Sequence, residues 1–307
     1  MRSFSSAFDQ ADLDAHLPDV LDQLRRGGAY AATDAQVVAL NYGPSHPYRN
    51  GPGGDREDLT ETKLEDVRAF ARKLTPAGAI LVLAGNFDPI LARQLIEEDF
   101  AGITPGIVSP GLETKPRPAT SVMRASVGQK KTLPARFDLI WPNDVRPFSA
   151  EYAAGKVVAA VLEEGRSSRL YKSLVGQGLA SKVATNAFSN ALGGGFSISL
   201  TGLEGSQPED LQQALQSQLD KLRGDPPSQE EIDVAVRKLV TNRLRYVEPL
   251  GARADRFVLY ELYTGDAGFL PRELALLRAV TPAAAQAFVR ERLPDAARIE
   301  LSTRPLQ

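Results

Sequence analysis

The chain has 307 residues, which is enough for one large domain or two ordinary ones. Apolar residues make up 43% of it and charged residues 24%, a balance that is typical of globular proteins and excludes intrinsic disorder. The formal net charge of −2 provides no positive field for a nucleic-acid partner, and the absence of cysteine excludes disulfides and thiolate zinc sites.

No run of about 18 consecutive apolar residues occurs in the sequence, so we predict no membrane span. The N-terminus also lacks the apolar core of a secretory signal. We therefore expect a soluble protein, which is cytoplasmic, or periplasmic if a signal has been lost.

The chain opens with a helical pattern and then a loop. Apolar residues at helical spacing from Leu13 to Leu24 predict a helix with one buried face, which Gly27 and Gly28 end. Residues 41–61 are rich in glycine and proline, and this composition predicts a loop.

A helix, a strand and a second helix are predicted next. Thr62 and Glu65 have the spacing of a capping box, so we expect a helix to begin at Thr62. Residues 79–85 (AILVLAG) are apolar throughout and too short for a helix, which predicts a strand buried on both faces. Residues 89–100 predict a helix, and its side chains expected to face inward are Leu91, Leu95, Ile96 and Phe100.

Residues 102–120 are rich in proline and glycine and lack periodicity, so they are the best candidate for a linker. A second unit begins near residue 121. Its strands and helices do not alternate, which favours an α+β fold over a doubly wound sheet. The predicted elements are strands at 136–141 and 297–303, a hairpin of 180–189 and 195–202 around Gly193, Gly194 and Gly195, and helices at 149–164, 167–176, 207–223, 228–247, 251–264, 271–279 and 282–293.

Four segments carry a resemblance to a known family. They are HPY at 46–48, AILVLAGNFDP at 79–89, GRSSRLYKSLV at 165–175 and the closing stretch from Thr281. In this order and spacing, the chain resembles the M16 (insulinase, pitrilysin, mitochondrial-processing) peptidase family.

The resemblance implies LuxS/MPP-like α+β domains, each a mixed antiparallel sheet packed by helices, which face each other in pairs. Residues 1–101 would be the later part of a first domain, incomplete because it lacks the metal-binding helix. Residues 102–120 would be the linker, and residues 121–307 a complete second domain.

Active members of the family bind zinc through an HxxEH helix, in which two histidines one turn apart hold the ion and the glutamate activates water. This chain has two histidines, His16 and His46, and neither follows a glutamate. We expect His46 to hydrogen-bond within its turn. We therefore predict no catalytic residue, no metal ligand and no cofactor in this chain, although zinc serves the active members.

The second domain of the family often carries an arginine and a tyrosine, seven residues apart, that hold the substrate backbone. The matching positions here are Val175 and a residue near Ser181, and neither side chain can take that role. Ser168, Arg169 and Tyr171 match other family positions and are the candidate substrate-binding residues. A structural role is the favoured alternative for this segment, because Leu170 and Leu174 have the spacing of packed helix positions.

These features predict a non-catalytic subunit or pseudo-peptidase that completes a peptide-binding cavity with an HxxEH-bearing partner. The apolar strand at 79–85 would then be covered by that partner or by a missing N-terminal segment. One alternative is a fragment of an active zinc endopeptidase whose metal-binding part is missing, and another is a structural scaffold subunit. In each case we expect no peptidase activity from this chain alone.

Overall fold

The fold is taken from a computed structural model of the chain, which places helices and strands along most of its length. Within the residues that it describes, no helix has both the length and the apolarity needed to cross a bilayer. The described residues are 8–25, 28–51, 53–73, 78–101, 114, 119–130 and 133–306.

The secondary structure combines helices with a few strands. In chain order the elements are α1 (Gln10–Arg25), α2 (Ala31–Tyr42), α3 (Arg56–Thr60), α4 (Leu64–Lys73), α5 (Pro89–Phe100), β1 (Met123–Gln129), β2 (Arg136–Asn143), α6 (Ala150–Glu163), a π-helical turn (Tyr171–Val175), β3 (Lys182–Asn190), β4 (Gly193–Thr201), α7 (Pro208–Gly224), α8 (Gln229–Tyr246), α9 (Leu250–Thr264), α10 (Leu270–Arg278), α11 (Pro282–Arg292) and β5 (Ile299–Pro305).

The chain divides into two compact units that do not follow chain order. The first unit takes the described residues of Met1–Gly27, Gly53–Leu112 and Tyr246–Phe269. The second takes Gly28–Pro52, Glu113–Arg245 and Leu270–Gln307. Most of the predicted linker lies outside the described residues, so the boundaries predicted for the two domains stay a prediction.

The first unit contains helices α1, α3, α4, α5 and α9, and the predicted helix between Leu13 and Leu24 is confirmed as α1. The capping box predicted for Thr62 and Glu65 is wrong. Helix α4 begins at Leu64, and the Asp66 carboxylate accepts a hydrogen bond from the Lys63 amide at 2.9 Å. The Thr62 hydroxyl instead donates to the carbonyl of Asp58, in helix α3, at 2.9 Å. Because this hydroxyl serves the end of the preceding helix, it cannot cap the next one.

The predicted strand at 79–85 is wrong for this chain. Residues 79–84 have no regular secondary structure, so they form no ladder with any described strand. The exposed fractions of Ile80, Leu81 and Leu83 are 36%, 57% and 50%. The apolar run is therefore present, but nothing in the described chain covers it.

Helix α5 has the predicted bounds, because local signals fix both its start and its length. The Asp88 carboxylate caps it by accepting from the amides of Ile90 and Leu91 at 2.8 and 3.2 Å, and Pro89 occupies the first turn. The prediction that its apolar side faces inward is wrong. Capping depends on neighbouring residues, whereas burial needs a covering surface. The described part of the chain does not supply one here, since Leu91, Leu95 and Phe100 are 53%, 49% and 44% exposed.

The second unit is built on one mixed sheet. Within the described residues its five strands lie in the order β1-β5-β2-β4-β3. Strand β1 pairs with β5 in parallel, and the other neighbours are antiparallel. Helices α6 and α7 pack against the sheet, and α10 and α11 pack against α6. The predicted α+β fold with a mixed sheet is confirmed.

The core of this unit lies between the sheet and these helices. The aromatic rings of Phe137 and Trp141 on β2 and of Phe196 on β4 are almost fully buried there. The predicted stripe of helix α7 is buried as expected, with Leu211, Leu215, Leu219 and Leu222 each at most 1% exposed.

Two elements of the second unit were not predicted from sequence. Helix α2 packs on β1, β2 and β5, and the hydroxyls of Thr33 and Thr303 are hydrogen-bonded at 3.0 Å. Strand β1 (MRASVGQ) is largely exposed and has no run of apolar residues. Neither α2 nor β1 has the apolar periodicity from which helices and strands are predicted, because each packs through small or polar side chains.

The hairpin is confirmed as β3 and β4, but its glycines are not the turn. Gly193, Gly194 and Gly195 begin strand β4 and are buried there. A Cβ at Gly194 would lie 2.2 Å from the carbonyl oxygen of Phe188 on the neighbouring strand. The glycines therefore allow close approach of backbone and ring, and residues 191–192 connect the strands.

Candidate functional site

The HPY loop holds His46 in a fixed position. The ring is 5% exposed and stacks on the ring of Tyr42, with 4.7 Å between centroids. Its Nδ1 accepts a hydrogen bond from the Tyr48 amide at 3.1 Å, which is the turn contact that the sequence predicted. Since that nitrogen accepts, the other ring nitrogen carries the proton and donates to the Leu192 carbonyl at 3.1 Å.

Both ring nitrogens of His46 are therefore occupied, and neither is available to a metal ion in this arrangement. His16 lies on an exposed face of α1. Within the part of the chain that the structure describes, no group of three or more His, Asp or Glu side chains is placed to hold a metal.

The GRSSRLY segment connects α6 to the π-helical turn and lies against α8. Gly165 has φ +88°, a backbone conformation that glycine adopts without strain. The Lys238 ammonium donates to the carbonyl of Glu164 at the end of α6. A Cβ at Gly165 would lie 2.8 Å from the Lys238 nitrogen, so a side chain there would make the flexible end of Lys238 shift.

Arg169 binds the first turn of α8 and the loop before it. Its guanidinium forms a bidentate pair with the Glu231 carboxylate, with both N–O distances 2.7 Å. It also donates to the carbonyls of Asp225 and Pro226 at 2.7 and 3.2 Å. The hydrogen bond from Arg169 lowers the pKa of Glu231 below its ordinary value of 4.5. Ser228 completes the turn as a reciprocal capping box with Glu231, as its spacing predicts.

These contacts engage the guanidinium of Arg169 within the chain, so its local role is to fix the start of α8. Leu170 and Leu174 are 0% and 1% exposed and anchor the segment in the core, as their spacing predicted. Tyr171 begins the π-helical turn and is half-buried. A contact of Arg169 or Tyr171 with a peptide stays a prediction.

Ser168, the third predicted residue, lines a cavity of about 250 Å³ between α6, this segment and α8. It is 6% exposed, and its hydroxyl has no hydrogen-bond partner within the described chain. The residues around the cavity are both aliphatic and polar or charged. They include Ala160, Val161, Glu164, Ser167, Lys172, Glu230, Glu231, Val234, Ala235 and Lys238.

A second polar cluster lies on the sheet face that packs against α2, and no sequence signal pointed to it. The Arg136 guanidinium donates to Asp138 at 2.8 and 2.9 Å and to Asp34 of α2 at 2.8 Å. Asp138 is 1% exposed, and burial raises the pKa of its carboxyl above the ordinary value of 3.8. Arg136 also lies over the ring of Tyr30, 5.3 Å from its centroid. Through Arg136 this cluster ties α2 to the sheet, and the buried Oδ2 of Asp138 has no hydrogen-bond partner among the described residues.

The first unit carries a set of exposed apolar side chains along residues 80–100, which we call the apolar surface. Its members lie between residues 80 and 100, and each is at least 36% exposed. In soluble proteins, large contiguous apolar patches often mark interaction sites. The apolar surface consists of Ile80, Leu81, Leu83, Phe87, Ile90, Leu91, Leu95 and Phe100.

Comparison of the sequence with protein families gives one match. Residues 62–239, more than half of the chain, match the family model described as "Peptidase M16 inactive domain". No curated protein sequence matches the chain.

Three solved structures with the same fold each align with 97–98% of the residues of this chain. A protease from Helicobacter pylori has a TM-score of 0.84 and 19% identity, with 73% of its own length covered. A peptidase M16 inactive domain from Pseudomonas fluorescens has a TM-score of 0.83 and 17% identity, with 72% covered. A chain of complex III2 from Candida albicans has a TM-score of 0.77 and 14% identity, with 72% covered. Identities this low show a shared fold and nothing about activity.

Proposed function

The chain belongs to the peptidase M16 inactive-domain family, and from this premise we propose that it is a non-catalytic subunit of a peptide-binding assembly. Its partner is an M16 chain that carries the HxxEH helix. Together the two chains enclose a cavity that binds a peptide, and the partner supplies the zinc and the general base.

The apolar surface carries this proposal. Eight large apolar side chains between Ile80 and Phe100 are exposed, and residues 79–84 form no ladder with any described strand. Fully burying a large aliphatic or aromatic side chain stabilises by about 1.5–3 kcal/mol. A side chain that is half exposed could therefore contribute about 1 kcal/mol more if a partner covered it. A partner that covered several of them would gain enough free energy for a specific complex.

The backbone of the same segment indicates the chemistry of the partner. A run that is apolar at every position is typical of a strand with packing on both faces. Its unpaired amides and carbonyls would be satisfied by a neighbouring strand. A sheet edge backed by apolar side chains is therefore the complementary surface.

The experiment is co-expression with an HxxEH-bearing M16 chain from the same genome, followed by light scattering on the purified proteins. We expect a complex of one copy of each chain. Replacing Leu83 or Leu91 by Glu places a charge in the interface and should weaken the complex by at least tenfold, since each such change costs more than about 1.4 kcal/mol. The matched control is Leu262→Glu on α9, where the leucine is 60% exposed outside the apolar surface and no effect is expected.

Two outcomes would contradict the proposal. One is a complex that forms equally well with Leu83→Glu and Leu91→Glu, because the apolar surface would then not be the interface. The other is an HxxEH helix encoded in frame upstream of this sequence, because the surface would then be covered within one catalytic chain.

A further inference from the structure

Strand β1 forms an outer edge of the five-stranded sheet in the second unit. We propose that this edge pairs with the same edge of a second copy of the chain, so that the two sheets become one continuous sheet. Strand β1 belongs to the second unit and the apolar surface to the first, so this inference is independent of the partner proposed above.

The backbone of β1 faces β5 at every second residue. The Met123 amide donates to the Arg298 carbonyl at 2.9 Å, and the Gln129 carbonyl accepts from the Leu306 amide at 2.7 Å. Both ends of the strand therefore face β5, and in a parallel ladder every second residue between them does the same. The alternate residues direct their amides and carbonyls away from the sheet, and they are Arg124, Ser126 and Gly128.

These outward backbone groups have no partner within the described residues. Strand β1 pairs there with β5 alone, and no turn or loop of the described chain donates to the outward groups or accepts from them. Arg124, Ser126 and Gly128 are also exposed. An exposed row of unpaired amides and carbonyls is a template for a further strand.

The features that usually protect a sheet edge are weak in β1. The strand has no proline and no lysine, and its register with β5 contains no bulge. Its charged side chain, Arg124, pairs with the buried Glu300 carboxylate of β5 at 3.0 Å. The guanidinium therefore lies over β5 rather than beyond the edge, and it does not block an approaching strand.

The sequence of β1 is complementary to itself in one antiparallel register. In an antiparallel pair, two opposite residues whose backbones face each other exchange two hydrogen bonds. The register centred on Ser126 pairs every outward residue, because Ser126 lies opposite itself and Arg124 lies opposite Gly128. Registers shifted to either side leave an outward residue unpaired, and the one centred on Arg124 opposes two guanidinium groups, which is destabilising.

A second copy is therefore the occupant that this edge selects. An unrelated extended peptide would pair through its backbone but would not in general place a glycine opposite Arg124. One strand pair buries less than the roughly 1,000 Å² of a stable interface, so we expect a weak dimer with a Kd on the order of 100 μM. At lower concentrations the chain is monomeric, which is compatible with the one-to-one complex proposed above.

The experiment is light scattering on the chain alone between about 10 and 500 μM, where we expect the mass to rise from one copy towards two. Ser126→Pro removes an outward amide that the ladder with β5 does not use, so it should weaken the dimer by at least about tenfold without loss of thermal stability. Ser126→Glu places two like charges opposite each other and should weaken it similarly. Ser126→Gln is the matched control without the charge, and we expect no change.

Cross-linking tests the register. The chain has no cysteine, so Ser126→Cys introduces a single thiol. In the proposed dimer the two Cα atoms at this position are about 5.5 Å apart, within the roughly 4.4–6.8 Å that a disulfide spans. Met123→Cys is the matched control, because the same residue of the second copy would be about 20 Å away along the strand. We expect Ser126→Cys to form a disulfide-linked dimer at least about tenfold faster under mild oxidation.

A chain that stays monomeric at about 500 μM overturns the inference, as does a dimer that forms equally well with Ser126→Pro and Ser126→Glu. Equal cross-linking of the two cysteine variants overturns the register centred on Ser126. Self-association that Leu91→Glu abolishes and Ser126→Glu does not would assign the dimer to the apolar surface, and this too would contradict pairing through β1.

Discussion

Arg169 joins two segments that are distant in the chain. Its guanidinium pairs with Glu231 and also donates to two carbonyls at the start of the loop before α8. The side chain of Arg169 is 20% exposed and that of Glu231 is 35% exposed, so solvent screens this pair less than a surface ion pair. The pair is therefore expected to contribute measurably to stability.

Replacing Arg169 by Ala should lower the free energy of unfolding at neutral pH by about 2 kcal/mol, the contribution of hydrogen bonds to a charged group. Urea unfolding measures the change. Arg166→Ala is the matched control, since Arg166 is exposed and makes no hydrogen bond or ion pair in the described chain. An equal loss in both variants would contradict a specific role for Arg169.

The same variant has a defined pH dependence. Arg169 lowers the pKa of Glu231 in the folded state below its ordinary value of 4.5. A lowered carboxyl pKa stabilises the fold above the unfolded pKa, and this stabilisation is lost as the pH falls through the folded pKa. The difference between the parent protein and Arg169→Ala should therefore shrink below pH 4.5.

Among the elements, strand β4 shows how a glycine run can serve packing rather than turning. Gly194 and Gly195 lie in the strand, and the ring and backbone of Phe188 fill the space that their side chains would take. Strand β3 can then pair closely with β4, and helix α6 packs on β3 over the core.

Gly194→Ala should destabilise the protein by at least about 3 kcal/mol, because its Cβ would lie 2.2 Å from a backbone oxygen that cannot move alone. Gly224→Ala is the control at the end of α7, where a Cβ meets nothing within 4 Å. Thermal unfolding of both variants makes the comparison. Similar stabilities would show that the start of β4 tolerates a side chain.

At the scale of the whole molecule, the fold of an M16 peptidase domain is present without a metal site in the described residues. Zinc hydrolysis needs about three protein ligands and a general base. His46 is engaged by hydrogen bonds on both nitrogens, and His16 is exposed on α1. With both ring nitrogens engaged, His46 offers no free ligand atom to an ion in this arrangement.

We therefore expect the purified chain, incubated with zinc and a mixture of peptides, to show no chelator-sensitive cleavage and well under one bound zinc per chain. An HxxEH-bearing M16 peptidase assayed in parallel is the positive control. Stoichiometric zinc together with cleavage that a chelator abolishes would contradict this prediction.

The sequence by itself determined the α+β class and most helices of the second unit, because these depend on local periodicity and capping. Ser228 with Glu231 and the leucine stripe of α7 are examples, since their partners lie within a few residues. The family came from a resemblance in the order and spacing of four motifs. Ser168 and Arg169 were identified because they match positions of the family that the sequence resembles, and that match did not predict their partners.

The tertiary structure alone decided which side chains are covered and which distant groups meet. The Arg169 pair with Glu231, the contact of Lys238 with Glu164 and the cavity beside Ser168 join segments about 60–75 residues apart, and no local pattern encodes them. The strand predicted at 79–85 failed for the same reason: its composition indicates that it should be covered, but the cover has to come from elsewhere, and the described chain leaves it exposed.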